Sequence, residues 1–241
     1  PNMSTVPATS APWGAECRSL FRAGVGRKLV GVDASGLELR CLAHYLSRYD
    51  DGEYANIIVN GDIHTANQRA AGLESRDQAK TLIYCLIYGG GPQKVGSIVG
   101  GGSEEGKTLT ARFLSRIPAF KRLKNDVIST AVSRGGLYGL DGRPIPIRSQ
   151  HSALNALLQS CGSILMKRAT IIADIYFKRS KLRVNQVAHI HDEIQFDSHE
   201  EDTDAVGRAV VEAIKDAGTA FNFRCPLDGE YKVGQTWADT H

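Results

Sequence analysis

The chain has 241 residues, 42% hydrophobic and 23% charged, the balance of a soluble globular protein with room for one large domain or two small ones. Its 29 basic and 26 acidic residues leave a net charge of +3, a weak pull toward an anionic partner that does not by itself name a function. Five scattered cysteines (Cys17, Cys41, Cys85, Cys161, Cys225) without a C-x-x-C pair argue against a zinc ribbon or disulfide framework, and neither a membrane-spanning apolar run nor a signal-peptide pattern is present, which suits a reducing cytoplasm.

Residues 1–14, rich in Pro, Ser, Thr and Ala, read as an extended lead-in. Lys28 to Asp33 (KLVGVD) predicts a short strand ending on an acid, and Ser35 to Arg48 a helix. A capping box is expected at that helix start, with Ser35 as N-cap and Glu38 reaching back. Residues 50–62 read as loop. Helices follow over 63–71 and 75–88, the second stopped by Gly89-Gly90-Gly91-Pro92. Two more, over 104–116 and 118–133, carry scattered Lys and Arg.

Leu137 to Arg148 predicts a hairpin turning at Asp141-Gly142, placed at an edge by its prolines. A long helix is expected over 152–178, then two strands within 184–197 joined by a tight turn near His191-Asp192. A helix at 201–216 and a strand segment near 223–233 complete the chain. This order implies an α+β fold, an antiparallel sheet with helices on one face and a helical insertion over roughly 50–135.

Asp33 at a strand end and Asp192 at a hairpin tip are each lifted from a rigid sheet. If their strands are neighbours, the two acids can bind a pair of divalent cations for phosphoryl transfer, since Mg²⁺ needs only one or two carboxylates beside substrate phosphates. Taken singly, Asp33 reads more often as a helix N-terminal acid and Asp192 as a turn acid. Glu193 is either an outward strand acid or an outer group of a metal site. Arg76, Lys80, Tyr84 and Tyr88 form a stripe at four-residue spacing, with Leu82 and Leu86 on the other side. Arg76 and Lys80 repel each other mildly at i,i+4, a cost that a bound anion would reverse. A nucleoside triphosphate fits, with cations on its phosphates and a tyrosine against its base. The plainer reading is a solvated face paired with acids such as Asp77. His64 by spacing alone is an ordinary structural histidine.

Together these segments resemble family A DNA polymerases. Val30 to Arg40 (VGVDASGLELR) resembles that family's motif A, Arg76 to Gly89 (RDQAKTLIYCLIYG) its motif B, and HDE at 191–193 its motif C. GDIHTANQ (61–68) and ALNALLQS (153–160) match in order and spacing, and SGLELRCLAHY and His241 resemble the short-tailed phage branch. The resemblance implies a right-hand polymerase architecture lacking a thumb: palm over 1–50, fingers over 51–135, palm again over 136–241. It implies that Asp33, Asp192 and the Ala34 carbonyl hold two Mg²⁺ ions, Mn²⁺ also suiting the donors. Glu38 becomes the steric gate against a ribose 2′-hydroxyl. Arg76, Lys80 and His64 become triphosphate ligands, with Lys80 the proton donor to pyrophosphate. Tyr84 takes the position that governs dideoxynucleotide discrimination and Tyr88 stacks at the templating position. Asn155, Gln159, His191 and Arg148 contact primer-template DNA.

The family's upstream T-G-R segment, its thumb and the paired acids of a 3′–5′ exonuclease are not recognisable. Asp51-Gly-Glu53 has an exonuclease's letters without its partner motifs. With Pro1 in place of an initiator Met, a second polypeptide carrying the thumb, with or without an exonuclease domain, is expected as a partner beside DNA and dNTPs. A fragment of one longer polymerase is the other reading of that start. The expected location is the cytoplasm, a bacterial host's if the gene is a phage's. The rivals are a DNA-binding remnant without turnover and a single-subunit RNA polymerase; Glu38 and HDE favour DNA synthesis.

Overall fold

In the computed structural model, which describes residues 3–241, the run of apolar residues after Arg27 becomes strand β1 (Arg27–Ala34). It lies inside a four-stranded antiparallel sheet of order β4-β5-β1-β6, with β4 (Val184–Ile190), β5 (Glu193–His199) and β6 (Gly229–Gly234). Val30 and Val32 are fully buried, as an interior strand requires. Helix α10 (Thr203–Ala220) packs on β1 and β6, burying Val206, Val210 and Ile214. Phe177 and Phe196 on β5 meet edge to face at 5.4 Å between centroids. On the opposite face the segment ending in Thr240 covers Gly31, where an added Cβ would lie 2.6 Å from the Thr240 carbonyl oxygen. Only glycine leaves room for that close approach.

The chain forms two compact units, one of residues 1–37 and 162–241, which holds this sheet, and one of residues 38–161. The second unit is helical: α2 (Leu37–Asp50, from Glu38 onward), α3 (Glu53–Asn60), α4 (Ile63–Ala71), α5 (Arg76–Ile87), α6 (Pro92–Gly96), α7 (Ser103–Arg116) and α8 (Pro118–Arg134). Two-residue strands β2 (Leu137–Tyr138) and β3 (Pro144–Ile145) form the expected hairpin, with Gly142 at φ 79° in its turn. The long helix is α9 (Ala153–Ser180), whose residues fall in both units. Phe113 and Phe120, edge to face at 5.8 Å, anchor the core of the helical unit.

Three local expectations give way. Residues 53–60 are helical rather than loop, because Asp50 accepts from the amides of Gly52 and Tyr54 and so starts a new helix directly after α2. The described part of the lead-in is not extended throughout: Met3–Thr5 form a short 3₁₀ helix, and helix α1 (Gly14–Ser19) begins at its last residue. The helix after β1 starts later than expected: Gly36 at φ 58° turns the chain so that it begins at Leu37, and the Glu38 carboxylate accepts from Tyr88 and Gln159.

Candidate active site

Asp33 lies one residue before the end of β1, where its strand partners are Glu193 on β5 and Glu230 on β6. Asp192 occupies the two-residue turn between β4 and β5. The preceding His191 has φ 56°, the left-handed conformation that lets so short a turn match the twist of its strands. The Ala34 amide donates to the Asp192 carbonyl at 3.1 Å, tying the turn to the end of β1. Both acids therefore stand at one end of adjacent strands. Burial pushes the Asp33 carboxyl up to about 7, helped by the charges of Asp192, Glu193 and Glu230 and partly opposed by Lys232. Such crowding of half-buried carboxylates is costly unless a cation neutralises it. Among the described residues no group of three or more His, Cys, Asp or Glu side chains is arranged to hold an ion. Two carboxylates completed by ligands from outside the protein is the donor set that suits Mg²⁺.

Glu193 is turned into the protein. It is 5% exposed, and its carboxylate accepts from Trp237 Nε1 at 2.6 Å and from Gln195 Nε2 at 2.5 Å. The His241 ring lies 2.7 Å away and Arg18 4.0 Å. Arg18 in turn stacks its guanidinium on Trp237, 4.1 Å from the ring centre. A buried carboxylate satisfied in this way fixes the strand that follows Asp192.

In the helical unit, α5 starts with a true capping box, Ser75 with Gln78, and presents Arg76 and Lys80 to solvent while Leu82 and Leu86 are buried. Arg76 does not pair with Asp77. Its Nε–H donates to Asp62 at 2.9 Å, and Asp62 also caps α4 through the amides of His64 and Thr65. The Asp62 carboxyl is held well below the usual range by that guanidinium. Burial and the charges of Arg76 and Lys80 push the His64 imidazole down, toward its neutral form. His64, Arg76 and Lys80 thus share one electrostatic neighbourhood.

A second cluster surrounds Glu38. Its Oε2 accepts from the Tyr88 hydroxyl at 2.9 Å and its Oε1 from Gln159 Nε2 at 3.1 Å. Burial and the Glu38 bond push the Tyr88 phenol up to about 12. Tyr84 and Tyr88 stack at 6.4 Å between centroids. Asn155, one turn before Gln159, buries its Oδ1 without a hydrogen-bond partner. Arg148 is exposed on the segment before α9 and His191 is exposed at its turn.

Sequence reasoning overlooked Asp62, although an Asp directly before an apolar-periodic run is a capping signal. It also overlooked Glu230, Lys232, Trp237 and Arg18, for which strand register and burial, invisible in a single sequence, are the only indicators.

Comparison with known proteins places this geometry in a family. The chain is 42% identical over 273 aligned residues to a DNA-directed DNA polymerase of Escherichia phage T7 and 41% identical over 273 to that of Enterobacteria phage T3. Each alignment covers all of this chain and 38% of the relative, so the chain spans well under half the length of these relatives. The fold matches the POL domain of Pol1 from M. smegmatis, solved in complex with DNA primer-template and dNTP, at a TM-score of 0.88 and 24% identity, over 99% of this chain and 45% of that one. The sequence pattern that defines DNA polymerase family A extends over residues 1–239, and the chain belongs to that family.

Proposed function

We propose that the chain is the palm-and-fingers catalytic portion of a template-directed DNA polymerase, adding dNTPs to a primer 3′-hydroxyl. The carrying observation is the pairing of Asp33 and Asp192 at the ends of adjacent strands, with Asp33 pushed up to about 7 by burial and carboxylate neighbours. We assign the sheet to the palm and the helical insertion to the fingers. Asp33, Asp192 and the Ala34 carbonyl would hold two Mg²⁺ ions, or Mn²⁺ in their place. Bound there, the metals supply the charge that makes a primer hydroxyl acidic and steadies the leaving pyrophosphate.

The protein's own part is binding and orientation. Arg76, Lys80 and His64 form a cationic and hydrogen-bonding face suited to a triphosphate, with Lys80 the proposed proton donor to the leaving group. Glu38 closes the space beside the sugar. Tyr84 and Tyr88 offer a stacked aromatic platform for bases. Asn155, Gln159, His191 and Arg148 are the proposed DNA contacts. Glu193, held by Trp237 and His241, supports the turn from behind.

The matched part is 38% of each phage relative, so a thumb, with or without an exonuclease, would come from outside these residues, on the same or on a second polypeptide. The phage relatives also support a bacterial cytoplasm as the location, and among the described residues no helix is long and apolar enough to cross a membrane.

The test is Mg²⁺-dependent primer extension by wild type and Asp192→Ala, with and without a thumb-bearing chain. Extension by the wild type, reduced at least about a thousandfold in the variant, is the expected result. Retained DNA binding without extension under any condition would favour a non-catalytic binding remnant.

A further inference from the structure

We propose that Gln159 is a positioning residue for sugar selection: its side-chain amide holds the Glu38 carboxylate rigid, so that the wall beside the sugar cannot swing aside for a ribose 2′-hydroxyl. The proposal rests on the polymerase reading above and assigns Gln159 a task besides DNA contact.

Glu38 is the second residue of α2, and both of its carboxylate oxygens are engaged by neutral donors from elsewhere in the helical unit. Oε2 takes the hydroxyl of Tyr88, the C-cap residue just after α5, and Oε1 takes the amide of Gln159, two turns into α9. A glutamate has three side-chain torsions, the last of them broad, and a half-exposed one exchanges rotamers readily. One hydrogen bond anchors a point of the carboxylate. Two bonds, one on each oxygen, also fix its plane.

Rigidity matters because a steric barrier discriminates only up to the cost of moving it aside. Shifting an unrestrained side chain off its rotamer costs little, roughly two- to twelvefold in a rate. Breaking a hydrogen bond to a charged group in order to move it multiplies the discrimination by about another tenfold. The engaged oxygens are also less able to accept from a 2′-hydroxyl, which would otherwise reward the wrong sugar.

Gln159 is exposed, so replacing it leaves the core intact. The experiment compares kcat/KM for a dNTP and its rNTP in the wild type, Gln159→Met and Gln159→Glu. Met keeps the length without the donor; Glu sets a second carboxylate against Glu38. The dNTP-over-rNTP ratio is expected to fall about tenfold in Gln159→Met and further in Gln159→Glu. In a Glu38→Ala background Gln159→Met should change the ratio no further, the non-additivity that marks action through Glu38. Equal losses for both sugars, or a ratio within twofold of wild type in both Gln159 variants, would overturn the proposal while leaving the polymerase reading standing. A wild type that extends no primer would overturn both.

Discussion

The indole N–H of Trp237 donates to the carboxylate of Glu193 over 2.6 Å, and Glu193 directly follows Asp192 in the chain. Trp237 is 2% exposed, so the bond lies out of reach of water. Segments far apart in sequence thereby fix the residue beside a candidate metal ligand.

Replacing Trp237 with Phe keeps most of the ring volume and removes the donor. A buried carboxylate deprived of one partner costs about 1–3 kcal/mol, and urea unfolding of Trp237→Phe should show a loss of that size. Primer extension should fall as well, through a loosened Asp192 turn. Unchanged stability would mean that Gln195 and His241 satisfy Glu193 unaided.

Asp33 gives a pH signature. Its carboxyl is raised from 3.8 to about 7 in the folded protein, so the folded state binds a proton more tightly than the unfolded state does. Stability without metal should therefore fall as pH rises from about 4 to about 7 and then level off. Asp33→Asn, free of that charge, should melt higher than wild type at pH 8, with the gap closing toward pH 4. Allowing for solvent screening of a half-buried group, the gap at pH 8 should be about 1–2 kcal/mol. Adding Mg²⁺ at pH 8 should raise the melting temperature of the wild type and leave Asp33→Asn nearly unmoved. Thermal melts at several pH values, with and without Mg²⁺, check both statements.

Asp62 engages the Arg76 guanidinium over 2.9 Å. Asn is as good an N-cap as Asp, so Asp62→Asn keeps the start of α4 and removes only the charge. The Arg76 side chain then has no carboxylate to exchange for phosphate, and KM for dNTP should drop about two- to fivefold, the range of an exposed ion pair. A rise in KM would show instead that Asp62 aims Arg76 at its ligand.

What could be read from the sequence followed from periodicity and turn chemistry. KLVGVD announces β1 by its apolar run, and the turn at His191-Asp192 is marked by short-turn residues between two alternating segments. Along the Arg76, Lys80, Tyr84, Tyr88 stripe Tyr84 is half-buried and the other three are exposed, with Leu82 and Leu86 buried behind it. The losses have physical causes. α3 was masked by Asp-Gly and Asn-Gly steps that usually mark loops; here Asp50 uses its carboxylate to begin a helix. Glu230 lies 197 positions beyond Asp33, and only the pairing of β1 with β6 brings the two together. The Asp62–Arg76 bond depends on the angle at which α4 meets α5, which no local pattern encodes.

The strand order β4-β5-β1-β6 also governs the sequence of events as the chain leaves the ribosome. β1 is made well before its neighbours, both of which lie beyond residue 190. Closing loops of that length is slow, and an unpaired apolar strand is exposed to misassociation in the meantime. The helical unit, residues 38–161, is contiguous and can fold behind it from local contacts. Asp33 and Asp192 therefore become neighbours only after β5 has been made, when the intervening helical unit is already free to fold.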